Sequence, residues 1–356
     1  MSELETKLSL LRAHLGDLGA VRLRGAEWFS WATCGGSNVV LLAEETGVAE
    51  VLVTREGAWA LTDRIEAERL EKEELPPGLP IQMSPWEAPG QREAWVAARV
   101  RGTVASDRPA RGEAPLPEAL VRARSSLLPQ ELERYRALGK DTAEAMTEVL
   151  LAATPDWTGF ELAGAGAEAL WARGIQPALT LVGDERRLPL YRHATASRER
   201  LGARAMIVVC GRRHGLFANL TRFVYFRAPS AEERRLAADV LRVEAAAFAA
   251  SRPGSTLGQV YSALARAYAD AGHPGAETLH HQGGPCGYLS RDALARPGMT
   301  MTLAHHGAVA WNPSLPGAKS EDTCVVSPGG LEVLTVDPRW PSVEVEGRLR
   351  PDLLVR

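Results

Sequence analysis

Between Leu75 and Pro117 eight prolines, at positions 76, 77, 80, 85, 89, 109, 115 and 117, interrupt the chain. Proline fixes φ and lacks an N–H, so this stretch excludes a long helix while permitting short strands and connections. Beyond it, Pro129-Gln130-Glu131-Leu132 opens an amphipathic pattern running to Ala153, with Leu132, Tyr135, Leu138, Ala145, Val149 and Leu150 on one face. The proline-rich segment therefore closes one unit and the helix opens another. A chain of 356 residues is also long for a single hydrophobic core. The reading divides it into residues 1–124 and 125–356.

In the first unit helical stretches alternate with β-like runs, Asn38 to Leu42 and Glu50 to Thr54, which describes an α/β domain. In the second, helices are expected at Thr158–Arg173, Ala231–Ser251 and Thr256–Ala271, the last stopped by Gly272. Strands are expected at Leu179–Val182, Arg204–Cys210, Gly215–Phe226, Met299–Leu303, Cys324–Ser327 and Leu331–Leu334. Helices flanking an antiparallel or mixed sheet make this an α+β domain.

Composition narrows the function. Lys and Arg number 41 against 44 Asp and Glu, a net charge of -3, so no field draws in nucleic acid or an anionic membrane. The four cysteines, at 34, 210, 286 and 324, are scattered without a CxxC pair and read as reduced thiols. The N-terminal segment is amphipathic and charged, with no apolar signal core, and nothing nears the ~20 apolar residues of a membrane span. A cytoplasmic location is expected. Gly283-Gly284-Pro285 is no phosphate cradle, since proline lacks the N–H and no GxxxxGK[ST] pattern exists.

Four landmarks occur in order: Tyr191-Arg192-His193, a run from Val208 ending Asn219-Leu220-Thr221-Arg222, His280-His281-Gln282-Gly283-Gly284-Pro285-Cys286-Gly287-Tyr288, and Lys319-Ser320-Glu321-Asp322-Thr323. Their order and spacing resemble the creatinase, aminopeptidase P and prolidase superfamily across most of residues 125–356. Trp28 to Thr33 and Thr62 to Arg69 resemble the smaller N-terminal domain of the same relatives. The resemblance implies a C-terminal pita-bread fold, a curved antiparallel sheet backed by helices, preceded by a creatinase-type α/β domain. It also implies a homodimer.

Active relatives hold two divalent ions with two Asp, one His and two Glu. Carried over position by position, these ligands fall on Val208, Asn219, Gly284, Ala304 and Glu321. A one-residue slip around Gly211 would exchange Val208 for Val209 or Cys210, neither a carboxylate. Only Glu321 is retained, and one carboxylate cannot offset two divalent ions. The expectation is no metal centre and no cofactor. His193 matches a substrate-side histidine, His280 another pocket histidine, and Arg291 stands where the family has a histidine.

The resulting expectation is a metal-independent homologue binding a small molecule or short peptide, anionic by the sign of Arg291 and Arg222, in a pocket of His193, Asn219, Arg222, His280, Arg291 and Glu321. Arg222 reads equally as a structural ion-pair partner. Two alternatives stay open: a metal-free C–N hydrolase of creatinase type, with His193 and Glu321 catalytic, and a residual Xaa-Pro peptidase. Cys210 or Cys286 as nucleophile is a lesser option. A zinc built from His280, His281, His305, His306 and Glu321 meets the objection that adjacent strand residues face opposite ways.

Overall fold

The computed structural model describes residues 1–356 and divides into two compact units, Met1–Glu131 and Leu132–Arg356. The division falls in the first turn of the helix Pro129–Ala152.

The first unit is built on a six-stranded mixed sheet. Its strands are β1 (Ala20–Gly25), β2 (Thr46–Val53), β3 (Ala58–Asp63), β4 (Ile81–Ser84), β5 (Val104–Ser106) and β6 (Ala114–Pro115), in the order β4-β3-β2-β1-β5-β6. The prolines keep the segments after β3 short, as their missing donors require. Ala20, Leu52, Leu61 and Val96 form a core cluster beneath Trp59 and Trp95, which meet edge to face at 5.4 Å. Asn38 to Leu42 is not a strand. Asn38 is pinned to β2 through its amide on the Ala49 carbonyl, and the chain then turns outward with Val40, Leu41 and Leu42 exposed and no strand beside them.

In the second unit β7 (Gln176–Asp184), β8 (Arg204–Arg213) and β9 (Leu216–Tyr225) form an antiparallel meander. A second antiparallel sheet holds β10 (Gly283–Cys286), β11 (Ala308–Trp311), β14 (Asp322–Ser327) and β15 (Gly330–Val333), with β12 (Ser314–Leu315) paired to β13 (Ala318–Lys319) beside it. β16 (Ser342–Val345) and β17 (Arg348–Pro351) make a hairpin, and β18 (Leu354–Val355) runs parallel to β9. The two main sheets are sewn together where Thr221 N–H donates to the Glu321 carbonyl at 3.0 Å and Asn219 N–H to Thr323 Oγ1 at 2.7 Å. This joins them into the curved sheet of an α+β pita-bread fold.

Helices Gly159–Trp171, Ala231–Ala250 and Leu257–Asp270 each start at a capping box, on Thr158, Ser230 and Thr256, that satisfies N-terminal donors. The last two pack on the second sheet around Val243, Phe248, Leu264, Tyr268 and Trp311. Met299 to Leu303 is not a strand either. Its carbonyls are taken by the N–H groups of Leu257 and Gly258 at the helix start and of Gly254, leaving a single bridge at Thr302. No helix is long and apolar enough to cross a membrane.

Candidate functional site

Strand periodicity decides which residues of β8 and β9 reach the site. Ile207 points at the helix Gly159–Trp171, where a Cβ on Gly166 would meet it at 3.0 Å. Met206, Val208 and Cys210 therefore face the other way, opposite Phe223, Thr221 and Asn219 in the ladder. Of the three candidates for the first ligand position, Cys210 is the one directly across from Asn219. Burial pushes its thiol up to about 12, and that of Cys286 up to about 11, so neither is a thiolate nucleophile at neutral pH. Tyr135 closes the floor, donating to the Phe217 carbonyl at 2.6 Å with Cys286 Sγ 3.5 Å away.

Glu321 is the centre of the site. Its carboxylate is buried, and all its contacts are internal: Arg291 Nη2 lies 2.5 Å from Oε1, while Lys319 Nζ at 3.0 Å and Thr221 Oγ1 at 2.9 Å converge on Oε2. Burial alone would raise its pKa, but Lys319 and Arg291 overcome that and hold the carboxyl at about 2. Two fixed cations on one carboxylate leave the cluster with an excess positive charge.

Gly284, the residue onto which the resemblance carries a metal histidine, admits no side chain. An ideal Cβ there lies 2.2 Å from the Ala293 carbonyl oxygen, because the segment after β10 folds back, with Asp292 N–H on the Pro285 carbonyl and Ala295 N–H on the Gly283 carbonyl. Asn219 is wholly buried, with Nδ2 3.5 Å from the Ser290 carbonyl and Oδ1 unpartnered. Val208, Cys210, Asn219, Gly284 and Ala304 supply no carboxylate or imidazole, and Glu321 is committed to cations of the chain. The donor set does not fit two divalent ions.

His193, in the loop after β7, meets His280 with their Nε2 atoms 3.0 Å apart, and His281 stacks on His280 with ring centroids 4.3 Å apart. Burial together with the Lys319 charge lowers His193 and His280, the latter to about 3; burial together with Arg291 lowers His281 to about 4. All three rings are neutral at neutral pH. The expectation that His280 and His281 face opposite ways is overturned: the segment before β10 is not strand, so period-two alternation does not apply, and both rings turn toward His193. His305 and His306 stand apart from this group. Their rings meet at a tilt of 34° with centroids 3.8 Å apart on the turn before β11, where His306 takes φ 58° and has Arg136 and Glu332 as charged neighbours.

Arg222 lies on the opposite face of β9 from Thr221. Its guanidinium donates to Asp322 Oδ1 and to the Thr335 carbonyl, both at 2.8 Å, and Asp322 Oδ2 accepts from Arg350, which also grips Glu244. Its ion-pair role is the one observed, and Lys319 replaces it as the second cation facing the site. The sequence alone does not place Lys319, Thr221 and His281 in the pocket set. Lys319 opens the fourth landmark, but period two alone does not say that it turns onto Glu321.

The family model for metallopeptidase family M24 matches residues 133–328, more than half of the chain. The chain belongs to metallopeptidase family M24. Among solved structures this M24 chain is similar to the dipeptidase PepE of Mycobacterium ulcerans, at 20% identity and TM-score 0.77 over 99% of this chain and 98% of that one. The prolidase of Pyrococcus horikoshii OT3 follows at 18% and 0.78 over 94% and 99%. The Xaa-Pro dipeptidase of Bacillus anthracis stands at 16% and 0.75 over 99% and 100%. At these identities the likeness shows the fold. No curated protein matches the chain by sequence.

Proposed function

We propose that this M24 chain is a peptidase-family homologue without the dinuclear centre, whose pocket binds an anionic small molecule or short peptide. The observation that carries this reading is the engagement of Glu321 by Arg291 and Lys319, cations of the chain itself. A carboxylate so neutralised has lost the charge that would hold an incoming divalent ion, and the excess positive charge beside it attracts a carboxylate or phosphate.

The creatinase-type alternative needs His193 as base with Glu321 orienting it or the substrate. His193 Nε2 is instead paired with His280, and both Glu321 oxygens are occupied by other groups. The binding reading is therefore preferred.

The test combines two measurements on purified, untagged protein: hydrolysis of Xaa-Pro di- and tripeptides with and without Mn²⁺, and a thermal-shift screen of anionic and cationic small molecules. The reading expects no Mn²⁺-dependent cleavage and stabilisation by carboxylate- or phosphate-bearing ligands, lost in Arg291→Met. Mn²⁺-dependent cleavage with two bound ions per chain would overturn it, as would a screen yielding cationic binders alone.

A further inference from the structure

Three imidazoles meet at the edge of the site, independently of the positions to which the two-metal arrangement falls. His193, His280 and His281 each present a ring nitrogen, and the three atoms all lie within 4.8 Å of one another. We propose that these three histidines form a mononuclear site for a divalent ion of the zinc type, with the fourth coordination position open.

The spacing suits that ion. Zn–N bonds of about 2.0–2.1 Å in a tetrahedron place ligand nitrogens roughly 3.3 Å apart. The His193–His280 edge is already 3.0 Å, and the remaining edges close by small side-chain rotations on loop segments rather than by movement of a strand. An ion would also replace a weak arrangement. With the rings neutral, the one hydrogen bond in the trio joins two imidazoles, and Nδ1 of His280 and of His281 are buried without a protein partner. A ring nitrogen without a protein partner offers the lone pair that a metal requires.

Three uncharged ligands leave the ion its full positive charge. The nearby charges acting on the trio are Lys319, Arg291 and Glu321, which together add a further positive one. The fourth ligand is therefore an anion, either hydroxide or a carboxylate or phosphate oxygen. The site is distinct from the inherited centre: it uses neither Val208, Asn219, Gly284, Ala304 nor Glu321, and it would stand even if the anion-binding reading failed.

The test uses the full-length untagged chain, stripped with chelator and dialysed, then titrated with Zn²⁺ by calorimetry and with Co²⁺ by visible absorption. The expected result is one ion per chain, with intense tetrahedral Co²⁺ bands. His193→Ala, His280→Ala and His281→Ala each weaken Zn²⁺ binding by at least about tenfold and remove the bands, while His305→Ala leaves both unchanged. Thermal melts establish that each variant is folded, and His281→Asn serves if the alanine variant is not. No uptake of Zn²⁺, or uptake undiminished in the folded His281 variant, overturns the proposal. Two ions per chain would overturn the proposed loss of the dinuclear centre, whereas the three-histidine site stands or falls on the histidine variants.

Discussion

A Cβ placed on Gly284 falls 2.2 Å from the carbonyl oxygen of Ala293, so the backbone of one segment occupies the room a side chain would need.

Gly284→His should therefore fail to recruit an ion and should destabilise the fold by about 2 kcal/mol, the scale of an overpacked interior. Urea unfolding and metal analysis of the variant check both parts. A stable variant that gains a metal ion would show that the Ala293 segment moves aside.

Removing one side of the central ion pair should be costly. Arg291→Met leaves the buried Glu321 with Lys319 as its one remaining cation and should lower stability by about 3 kcal/mol, as breaking a buried pair does. Adding Glu321→Gln to that variant should recover part of the loss, which a double-mutant cycle in urea measures.

Glu321 also predicts a response to acid. Its folded pKa of about 2 lies below the ordinary 4.5, so its stabilising contribution is complete above the ordinary value and is lost as pH falls through about 2. Stability should decline with acidification across that window, and the decline should be shallower in Glu321→Gln than in the parent chain.

How much of this was legible in the sequence depends on what each residue answers to. Helix starts at Thr158, Ser230 and Thr256 were readable because a capping box is local, and strands β8 and β9 because their apolar runs are long. Asn38 to Leu42 and Met299 to Leu303 have strand-like sequences without forming strands, because an apolar run becomes a strand only where another strand offers hydrogen bonds; one run lacks such a neighbour and the other spends its carbonyls on a helix start. The positions of Asn219 and Glu321 follow from motif order, yet the partners of Glu321 do not, since Arg291 reaches Oε1 from a distant segment while Lys319 reaches Oε2 from two residues away. Strand alternation does not give the orientation of His281, because that residue lies outside a strand.

The buried network behind β14 gives a fourth expectation. Asp322 accepts from Arg222, Arg350 and Thr335, so Asp322→Ala leaves Arg222 without a carboxylate and Arg350 with Glu244 alone, and should cost about 3–5 kcal/mol. A large fall in Tm without a change at the histidine trio, followed by His resonances in NMR, checks it.

Thiol chemistry gives a fifth. Cys210, Cys286 and Cys324 are buried, while Cys34 is half-buried, so an aromatic disulfide reagent should modify Cys34 first in the native protein and reach the other three on unfolding. Rapid native reaction at Cys210 would show that the floor of the site opens to solvent.

Lys319 and Arg291 are covalently part of the polypeptide, and this separates the site from any that must gather its charge from solution. A chelator cannot strip these cations, and scarcity of a metal outside the chain cannot leave Glu321 unneutralised. The polarity of the pocket is thus inherited with the coding sequence and is present as soon as the last strands close, whatever ions surround the newly folded chain.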